Sequence, residues 1–482
     1  MKKYMLSPNV RFIANPEFET SMAYHTLYGN PRIVNDEARQ FLDLFKYPVT
    51  QEEIAKACDE NPEEIIKEFE EILFLVEPGF DEKMFLRSQK AQHLSQIKQG
   101  QTVDRMGLAI SDLCNFGCSH CLHRQSFNSG GIVLQSNSNN ELSRNMSWET
   151  AKQCIDQYIL LMRKNECSDG KIHFGNAEPL INWPVIKNVL VYCSQMSGLK
   201  FEFAINTNLS LMTREIAETL KEYRVVIATS LDGTAQANDV IRVTKGGKGT
   251  FALLLKKFDL LAEIGYPLDG FSITVTKRNF DFVDVDIIDL AAARGMVSLA
   301  FDYDLISLID VPIPTRVEKL MVLKRYANDL GIDFFGTWDS AFRNLTSVSL
   351  LTGSHAFCAA VQGKSVEFNV DGSIKVCGHT CTSIGHVDRF DEMFNRSGGL
   401  FKIVQERFPG ADAYCKGCVI EGPCGGQCHV TREVDAQLVG DQRQSLFADM
   451  CDFYRSVTDA LALEYLRSNG ASTVVKRHTC GV

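Results

Sequence analysis

Three cysteines within eight residues constrain this chain more than any other feature of its sequence. The run Cys114-Asn-Phe-Gly-Cys118-Ser-His-Cys121 follows directly on Met106–Ile110, an apolar segment that is predicted to be a strand. The carboxyl ends of strands are where α/β barrels carry their chemistry. Three thiolates in one short loop can hold three irons of a four-iron cluster and leave the fourth iron open. Zinc is the alternative, with His120 or His123 as its fourth ligand.

From Asp104 to about Phe301 the chain alternates apolar segments with amphipathic ones. The predicted strands are Met106–Ile110, Lys171–Phe174, Phe201–Ile205, Val225–Ser230, Phe271–Val275 and Val297–Phe301. The predicted helices between them are Trp148–Arg163, Pro184–Met196, Arg214–Tyr223, Phe251–Ile264 and Val283–Arg294. Helices of that length between strands imply a parallel sheet with right-handed crossovers. The predicted fold class is therefore α/β, a partial (β/α)6 barrel rather than a complete eightfold one.

Residues 1–95 are predicted to be a small unit of their own. The stretch Tyr24–Val34 places apolar residues around a Gly-Asn-Pro turn, which predicts a hairpin. Thr50-Gln-Glu-Glu53 is a capping-box pattern that opens a helix, and another amphipathic helix follows Pro62. A strand pair, a helix and a helix-turn-helix in that order predict a winged-helix-like domain. The polar stretch 88–101 is predicted to be a linker.

The remaining boundaries follow from composition. A linker at 96–103 leads to the barrel at 104–310, a bridging region at 311–354 and a cysteine-rich C-terminal domain at 355–482. The irregular sequence of this last part predicts a domain built around metal rather than around a large apolar core. The segment 124–145, rich in Ser, Asn and Gly, predicts a mobile loop beside the first cysteines.

Sixteen cysteines are many for a chain with no secretion signal and no apolar run near the ~20 residues of a membrane helix. These features predict a cytoplasmic protein without a membrane partner. In a reducing compartment its cysteines bind metal or act in catalysis rather than form disulfides. The formal net charge of −10 argues against a nucleic-acid partner, because phosphate binding relies on Lys and Arg.

A second group of cysteines lies in the predicted C-terminal domain. It consists of Cys358, Cys377, Cys415, Cys418, Cys424, Cys428 and Cys451. The C-x2-C spacing at Cys415 also occurs in zinc sites, so a pair of zinc ribbons is an alternative to iron–sulfur clusters. Three other cysteines fall in predicted helices as small core residues: Cys58, Cys154 and Cys193.

The C-x3-C-x2-C loop resembles that of the radical S-adenosylmethionine (SAM) superfamily, and further segments between about 104 and 301 agree. Gly175-Asn-Ala-Glu178-Pro179 resembles the Gly-Gly-Glu-Pro motif that meets the amino group of the cofactor's methionine, with Asn176 and Ala177 in place of its glycines. Asn206-Thr-Asn208, Ser230-Leu-Asp232-Gly233 and Arg242 resemble segments that line the cofactor pocket. The resemblance implies that the cofactor-binding residues are Gly175, Asn176, Glu178, Asn206, Ser230, Asp232 and Arg242.

The same resemblance implies a [4Fe–4S] cluster on Cys114, Cys118 and Cys121, which an electron donor such as a flavodoxin or ferredoxin reduces. The reduced cluster would cleave bound SAM. The resulting 5′-deoxyadenosyl radical would then remove a hydrogen atom from an unactivated carbon. The cofactor carries that chemistry, while the protein positions the substrate and excludes water.

The seven C-terminal cysteines resemble the SPASM pattern at every position, which implies two auxiliary [4Fe–4S] clusters. The nearer one would bind Cys358, Cys377 and Cys428, and the farther one Cys415, Cys418, Cys424 and Cys451. Three clusters with one open iron need one ligand more than the two motifs supply. Cys381 is the predicted extra ligand and His379 a less suitable substitute; otherwise the nearer cluster has an open iron.

The N-terminal unit resembles the peptide-recognition domain of ribosomal peptide-maturing enzymes. That resemblance implies binding of a precursor peptide's leader as an added strand at a sheet edge. The alternatives are a DNA-binding winged helix and a dimerisation arm. Residues 51–75 carry nine Glu or Asp against two Lys, which disfavours DNA.

The predicted function is hydrogen abstraction from a residue of a ribosomally made precursor peptide. The product is a thioether or carbon-linked crosslink, or an oxidised residue. Maturation of a folded protein, as in anaerobic sulfatase activation, is the second hypothesis. Sulfatase-maturating relatives deprotonate the substrate with an Asp directly after the second SPASM cysteine, where this chain has Gly378. An iron–sulfur transcriptional regulator is the third hypothesis.

Overall fold

The structure, a computed structural model, describes residues 2–15, 19–57, 62–122, 145–347, 357–437 and 441–469. The predicted mobile loop, apart from Asn145, lies outside the described residues, as do His123, Cys58 and Cys480. Within the described ranges, no helix has both the length and the apolar character needed to cross a membrane.

The N-terminal part forms two small antiparallel sheets with helices between and after them. In chain order its elements are β1 (Lys3–Leu6), β2 (Val10–Asn15), β3 (Thr20–His25), β4 (Gly29–Asn35), α1 (Asp36–Asp43), β5 (Val49–Thr50), α2 (Gln51–Ala57), α3 (Glu63–Glu71), β6 (Leu75–Val76) and α4 (Glu82–Gln99). The strand orders are β5-β1-β6 and β2-β3-β4.

Helix α2 begins at the predicted capping box. The backbone N–H of Thr50 donates to Glu53 Oε2 at 2.8 Å, and the backbone N–H of Glu53 donates to Thr50 Oγ1 at 3.3 Å. The predicted hairpin is β3–β4, but its turn precedes the Gly-Asn-Pro sequence. Gly29, the first residue of β4, pairs with His25, the last residue of β3. The φ of 70° at Gly29 suits the irregular pairing at this end of the hairpin.

The central part alternates strands and helices, and each predicted strand overlaps an observed one. Its elements are β7 (Arg105–Ala109), α5 (Trp148–Lys164), β8 (Asp169–Gly175), α6 (Trp183–Ser194), β9 (Lys200–Asn206), α7 (Arg214–Glu222), β10 (Val226–Ala228), α8 (Ala235–Asn238), α9 (Phe251–Glu263), β11 (Gly270–Val275), α10 (Asp286–Ala293) and β12 (Ser298–Tyr303). Strands β7 to β10 are parallel neighbours, and so are β11 and β12. A bridge between Ser230 and Ser272 joins the two groups.

One face of this sheet is apolar and packs on the helices. Met106, Leu108 and Ile172 are at most 1% exposed and belong to the main core. Since side chains alternate along a strand, the intervening residues lie on the opposite face. We call this opposite face the polar face; its residues include Gly107, His173, Asn206 and, from a later strand, Glu367.

The C-terminal part adds short strands and further helices. Its elements are α11 (Ile313–Asp329), β13 (Asp333–Phe335), α12 (Ser340–Ser347), β14 (Ser365–Phe368), β15 (Ser373–Lys375), β16 (Gly385–His386), α13 (Gly399–Arg407), α14 (Glu421–Cys424), α15 (His429–Gln437) and α16 (Asp441–Asn469).

The parallel sheet extends beyond the six predicted units at both ends. Strand β13, in the predicted bridging region, pairs in parallel with β12. Strand β14, in the predicted C-terminal domain, pairs in parallel with β7 and places Glu367 opposite Gly107. Strand β15 then pairs antiparallel with β14. The C-terminal cysteines are thereby joined to the first strand of the central sheet.

The C-terminal part shares the main apolar core, which corrects the prediction of a domain built around metal. Val366, Phe368 and Ile374 are fully buried in the same core as Met106. Phe453 of α16 joins them. The sequence shows no clear apolar alternation here because the strands are only three or four residues long.

The polar stretch predicted as a linker is the second half of helix α4. Asp81 caps the start of this helix, and Gly100, with a φ of 67°, ends it. Its buried positions are His93 and Ile97. Ile97 packs in a small cluster with residues of α13. With so few buried positions, the segment has no apolar stripe to distinguish it from a loop.

The N-terminal sheet β2-β3-β4 also packs against the C-terminal part. Ile13, Met22 and Tyr24 share an apolar cluster with Leu345 of α12 and with residues of α16. Arg11 of β2 donates to Asp459 of α16 at 3.1 Å. Helices α12 and α16 therefore cover this sheet.

Candidate active site

The first cysteine loop follows β7 and pairs through its backbone with residues 241–244. The N–H of Gly117 donates to Val243 O at 2.7 Å, and the N–H of Ser119 donates to Ile241 O at 2.9 Å. Phe116 and Thr244 form an isolated antiparallel bridge. This backbone pairing fixes the loop independently of any metal, so its three thiols have a defined position.

The three thiols of the loop are electrostatic neighbours. Burial raises the pKa of Cys118 to about 11; the Arg242 guanidinium opposes the rise, and the Cys121 and Cys114 thiolates add to it. The N–H of Phe116 points at Cys114 Sγ at 3.4 Å. The Cys118 thiol therefore carries a proton at neutral pH unless a metal displaces it.

A buried ion pair stands beside this loop. Arg242 Nε donates to Asp232 Oδ2 at 2.7 Å, and Arg242 Nη2 donates to Asp232 Oδ1 at 3.0 Å. Arg242 Nη1 lies 3.9 Å from Cys118 Sγ, and its Nη2 lies 3.3 Å from His120 Nε2. Burial lowers the pKa of His120 to about 4, so this imidazole is neutral. Two of the predicted cofactor residues thus form one unit with the cluster loop.

The predicted cofactor motif after β8 is built around Glu178. This carboxylate is fully buried and accepts from Leu180 N at 3.0 Å, Thr207 Oγ1 at 2.7 Å and Asn208 N at 2.7 Å. Burial raises its pKa to about 6, while these donors oppose the rise. The bonds tie the β8 loop to the β9 loop, so Glu178 positions both.

The backbone conformation at position 176 is one that Asn can adopt in place of the motif glycine. Its φ of 67° is in the left-handed region, which Asn tolerates better than most residues. Gly175 ends β8, and a Cβ there would press on the His173 ring. The neighbouring Asn206 hydrogen-bonds the same His173, whose pKa is lowered by burial.

Ser230 is the remaining predicted pocket residue. Ser230 makes the bridge that joins β10 to β11, so its backbone is part of the sheet. Asn208, which lies in a quoted motif but was not among the predicted site residues, donates to Asn115 Oδ1 at 2.9 Å and lies 3.7 Å from Cys114 Sγ. Its contact with the cluster loop was not apparent from the motif alone.

The C-terminal cysteines gather in the two groups that the sequence predicts. Burial raises the pKa of Cys377 to about 12, and the nearby Cys428 and Cys358 thiolates add to it. Burial likewise raises the pKa of Cys415 and of Cys451 to about 12. The Cys424 thiolate adds to the rise in pKa at Cys415 and at Cys451. The Cys418 thiolate adds to the rise in pKa at Cys424 and at Cys451. We call these the nearer set (Cys358, Cys377, Cys428) and the farther set (Cys415, Cys418, Cys424, Cys451).

The described side chains suit iron–sulfur clusters better than single ions. In the described ranges, no three His, Cys, Asp or Glu side chains converge closely enough to hold one metal ion. In a four-iron cluster each thiolate binds a different iron, so the ligand sulfurs stay apart. Sulfur also receives N–H donors here: Gln427 Nε2 lies 2.7 Å from Cys451 Sγ, and Gln427 N lies 3.3 Å from Cys424 Sγ. Buried Arg407 Nε and Nη1 have no partner among the described residues, and cluster sulfur would accept from them.

Cys381, the predicted extra ligand, is only partly buried. Its backbone N–H donates to Glu433 Oε2 at 2.7 Å. Burial raises the pKa of its thiol, Glu433 adds to the rise and Lys375 opposes it. Burial lowers the pKa of His379, the substitute ligand. Ligation by either residue stays a prediction. Cys154 and Cys193 are buried in α5 and α6, as predicted.

Glu367, which the sequence analysis did not single out, lies on the polar face. Its carboxylate occupies the space above Gly107, and part of its surface remains accessible. An ideal Cβ on Gly378 would lie 3.9 Å from Glu367 Oε2 and 3.1 Å from Asn176 Oδ1. Burial raises the pKa of Glu367 to about 7, with Arg105 opposing. The alternation in Ser365-Val-Glu-Phe368 puts Glu367 opposite the core face, but only the pairing with β7 reveals its neighbours.

Comparison with known families identifies the central part. The model of the radical SAM superfamily matches residues 108–291, a range that contains the first cysteine loop and every predicted cofactor residue. Residues 108–291 therefore form a radical SAM domain. The radical SAM family implies a [4Fe–4S] cluster and SAM as cofactors.

Similar proteins extend the likeness beyond that domain. The radical SAM cyclopropyl synthase TigE of Paramaledivibacter caminithermalis is 24% identical over 412 residues, which are 84% of this chain and 85% of TigE. Streptococcus suis SuiB, solved bound to precursor peptide SuiA, aligns with a TM-score of 0.50 and 16% identity over 89% of this chain and 96% of SuiB. The protein anSMEcpe, solved with bound AdoMet and a Cp18Cys peptide, aligns with a TM-score of 0.53 and 14% identity over 75% of this chain and 99% of anSMEcpe. At these identities the two structures are similar in fold.

Proposed function

We propose that this radical SAM enzyme modifies a ribosomally made precursor peptide, by abstracting hydrogen from one residue and forming a carbon-linked or thioether crosslink or an oxidised residue. The observation that carries the proposal is the position of Gly378. A Cβ built on this residue would lie 3.1 Å from Asn176 Oδ1 of the SAM motif and 3.9 Å from Glu367 Oε2 of the polar face, and Gly378 directly follows Cys377 of the nearer set. A substrate at the polar face would therefore contact the SAM site, a carboxyl group and an auxiliary cluster site together.

The proposed assignment of residues is the one that the family resemblance implies. Cys114, Cys118 and Cys121 would hold the SAM-binding cluster, and Gly175, Asn176, Glu178, Asn206, Ser230, Asp232 and Arg242 would form the cofactor pocket. The nearer set with Cys381 and the farther set would hold two more clusters, three in all. An external donor such as a flavodoxin or ferredoxin would reduce the first cluster, and reductive cleavage of bound SAM would supply the 5′-deoxyadenosyl radical that takes the hydrogen atom.

Glu367 is the residue we expect to move a proton. After hydrogen abstraction, the substrate carbon radical must lose one more electron, for which a cluster at the nearer set would be the acceptor. A proton from a neighbouring N–H, S–H or C–H group leaves with it, so a base must be within reach. Glu367 Oε2 lies close to Gly378 and Gly107, positions with no side chain to block a substrate. A carboxyl with a pKa of about 7 can take up a proton near neutral pH and release it again.

Peptide binding is proposed for the N-terminal sheet. Strands β2 and β4 are the edges of β2-β3-β4 in the described residues. Pro31 removes a backbone donor from β4, so β2 is the edge better able to pair with a leader of several residues. The likeness to SuiB, solved with its precursor peptide, supports a peptide substrate. The likeness to the cyclopropyl synthase TigE favours a carbon-linked product among those considered.

The two other hypotheses have less support. A maturase of a folded protein such as a sulfatase would lack its expected Asp, because position 378 is glycine, although Glu367 lies close to that place. A transcriptional regulator has no use for the SAM-pocket residues, and the acidic α2–α3 segment does not suit DNA.

A small peptide encoded beside the gene provides the test. Synthetic peptide, SAM and dithionite are incubated with the reconstituted enzyme, and 5′-deoxyadenosine and peptide mass are followed. We expect 5′-deoxyadenosine to form in step with a peptide that has lost the mass of two hydrogen atoms per crosslink. Hydrogen exchange of residues 10–15 should slow when the leader binds, with residues 29–35 as the internal control. An unmodified peptide with 5′-deoxyadenosine formation independent of it would overturn the proposal.

A further inference from the structure

Arg407 is a buried cation at the last residue of α13. Its side chain is 4% exposed. Nη2 donates to the backbone O of Gln427, but Nε and Nη1 have no partner among the described residues. Gln427 stands in the loop between Cys424 of the farther set and Cys428 of the nearer set. The guanidinium is therefore hydrogen-bonded to a loop that carries a cysteine of each set at its two ends.

No carboxylate of the described residues balances this charge. Asp412 interacts with this charge, but it is already paired with Arg432. Arg432 is itself a cation that repels Arg407. The groups that attract Arg407 are Cys424, Cys428 and Cys358. An arginine remains protonated inside a protein, and an unpaired buried charge is costly. The cysteine sets must therefore supply the opposite charge.

We propose that Arg407 is the shared counter-ion of the two C-terminal clusters, donating from Nε and Nη1 to their sulfur atoms. The inference rests on the proposed assignment of clusters to the nearer and farther sets. Arg407 is a positioning residue in this scheme: it contacts both clusters but no substrate atom. One cation then sets the charge environment of two redox centres at once.

The consequence is a common effect on reduction potential. Reduction adds negative charge to a cluster, and a nearby cation with N–H donors to sulfur stabilises the reduced form. Arg407 therefore raises the potential of both C-terminal clusters. The first cluster is served by a different arginine, Arg242, and does not depend on Arg407.

Arg455 provides a matched control. Its Nη1 lies 3.9 Å from Cys418 Sγ of the farther set, and its Nη2 pairs with Asp452. Arg455 is thus an arginine at one set only. Replacing it should affect the farther cluster and leave the nearer one unchanged.

The test is a redox titration, followed by electron paramagnetic resonance, of anaerobically reconstituted full-length protein. A background with Cys114, Cys118 and Cys121 replaced by Ala removes the first cluster and isolates the other two. In that background, Arg407→Gln should shift both midpoint potentials to more negative values, whereas Arg455→Gln should shift one. Arg407→Lys, which keeps the charge, should lie between wild type and Arg407→Gln. A shift of only one cluster, or of neither, would overturn the shared role.

Cluster incorporation is measured in the same samples. If Arg407→Gln loses both clusters and Arg407→Lys keeps them, the need for a charge at this position is supported. If both variants lose them alike, Arg407 is a packing residue and the proposal fails. Failure of the proposed function gives a different result. Either the background with native Arg407 would lack two four-iron signals, or the wild type would leave the peptide unmodified while the Arg407 shifts persist.

Discussion

The carboxylate of Glu367 fills the space in which a side chain at position 107 would begin, so the two residues share one site across the β7–β14 pair. Only glycine at 107 lets the carboxyl group reach the polar face. We expect Gly107→Ala to lower the stability of the reconstituted protein by ~1–3 kcal/mol, the cost of inserting a methyl group into filled space. Thermal unfolding measures this loss.

The double variant Gly107→Ala/Glu367→Ala is its control. Removal of the Glu367 side chain should recover most of what Gly107→Ala loses, because the clash is between these two groups. Additive losses in the double-mutant cycle would show that the alanine at 107 disturbs something else.

The raised pKa of Glu367 predicts a pH-dependent effect on stability. The unfolded carboxyl ionises near pH 4.5 and the folded one near 7, so the folded state loses stability as pH rises between these values. Above pH 8, Glu367→Gln should be more stable than wild type by on the order of 2 kcal/mol, and this advantage should shrink towards pH 5. Melting temperatures across this range measure it. Glu202→Gln, at an exposed position on β9 of the same sheet, is the matched control.

Cys118→Ala should abolish SAM cleavage while the fold persists. A loop with two thiolates cannot hold the reactive four-iron cluster. The loop itself is fixed by backbone bonds to Val243 and Ile241, which the substitution leaves in place. Release of 5′-deoxyadenosine from dithionite-reduced protein is the measurement, with Cys193→Ala as the cysteine control. Wild-type release from Cys118→Ala would contradict the assignment of the first cluster.

Asp232→Asn should cost far more stability than the loss of an exposed ion pair. Asp232 is fully buried against Arg242, and its loss leaves a buried guanidinium uncompensated, at a cost of about 3–5 kcal/mol. Asp259→Asn breaks the exposed Arg294–Asp259 pair and should cost below ~1 kcal/mol. Denaturant unfolding of both variants gives the comparison. Equal losses would mean that the Asp232–Arg242 pair is solvated in the protein.

Cys381→Ala decides how many cysteines serve the nearer cluster. If Cys381 is a ligand, the variant should keep the first cluster and SAM cleavage but alter or lose the nearer cluster, and product formation should fall. Iron content, expected at about twelve per wild-type chain, and auxiliary-cluster spectra are the readouts. Unchanged iron, spectra and product yield would instead point to an open iron or to another ligand such as His379.

The sheet of the central part was predictable because its signals are local. Each strand from β7 to β12 is followed by a helix that covers it, so apolar periodicity along the chain reports the packing. The capping box at Thr50 was predictable for the same reason, since both partners lie within four residues. The cysteine groups followed from spacing and family resemblance rather than from physics alone.

What the sequence did not reveal depends on distant partners. Glu367 acquires its role from Gly107, and Arg407 from cysteines on two separate segments. Neither residue differs in local pattern from a surface charge. Helix α4 resembled a linker because its few buried side chains contact α13, three hundred residues later. These contacts depend on tertiary structure and produce no periodic pattern in the amino-acid sequence.

The packing of β2-β3-β4 on α16 also has a consequence for how the chain is made. The N-terminal sheet shares its apolar cluster with the final helix, and β7 finds its edge partner only in β14. During synthesis β2-β3-β4 and β7 must therefore keep apolar surface uncovered until α16 and β14 have been made. Long-range pairings of this kind form late and slowly. We expect iron loading to follow the synthesis of α16 and chaperones to protect the nascent chain until then.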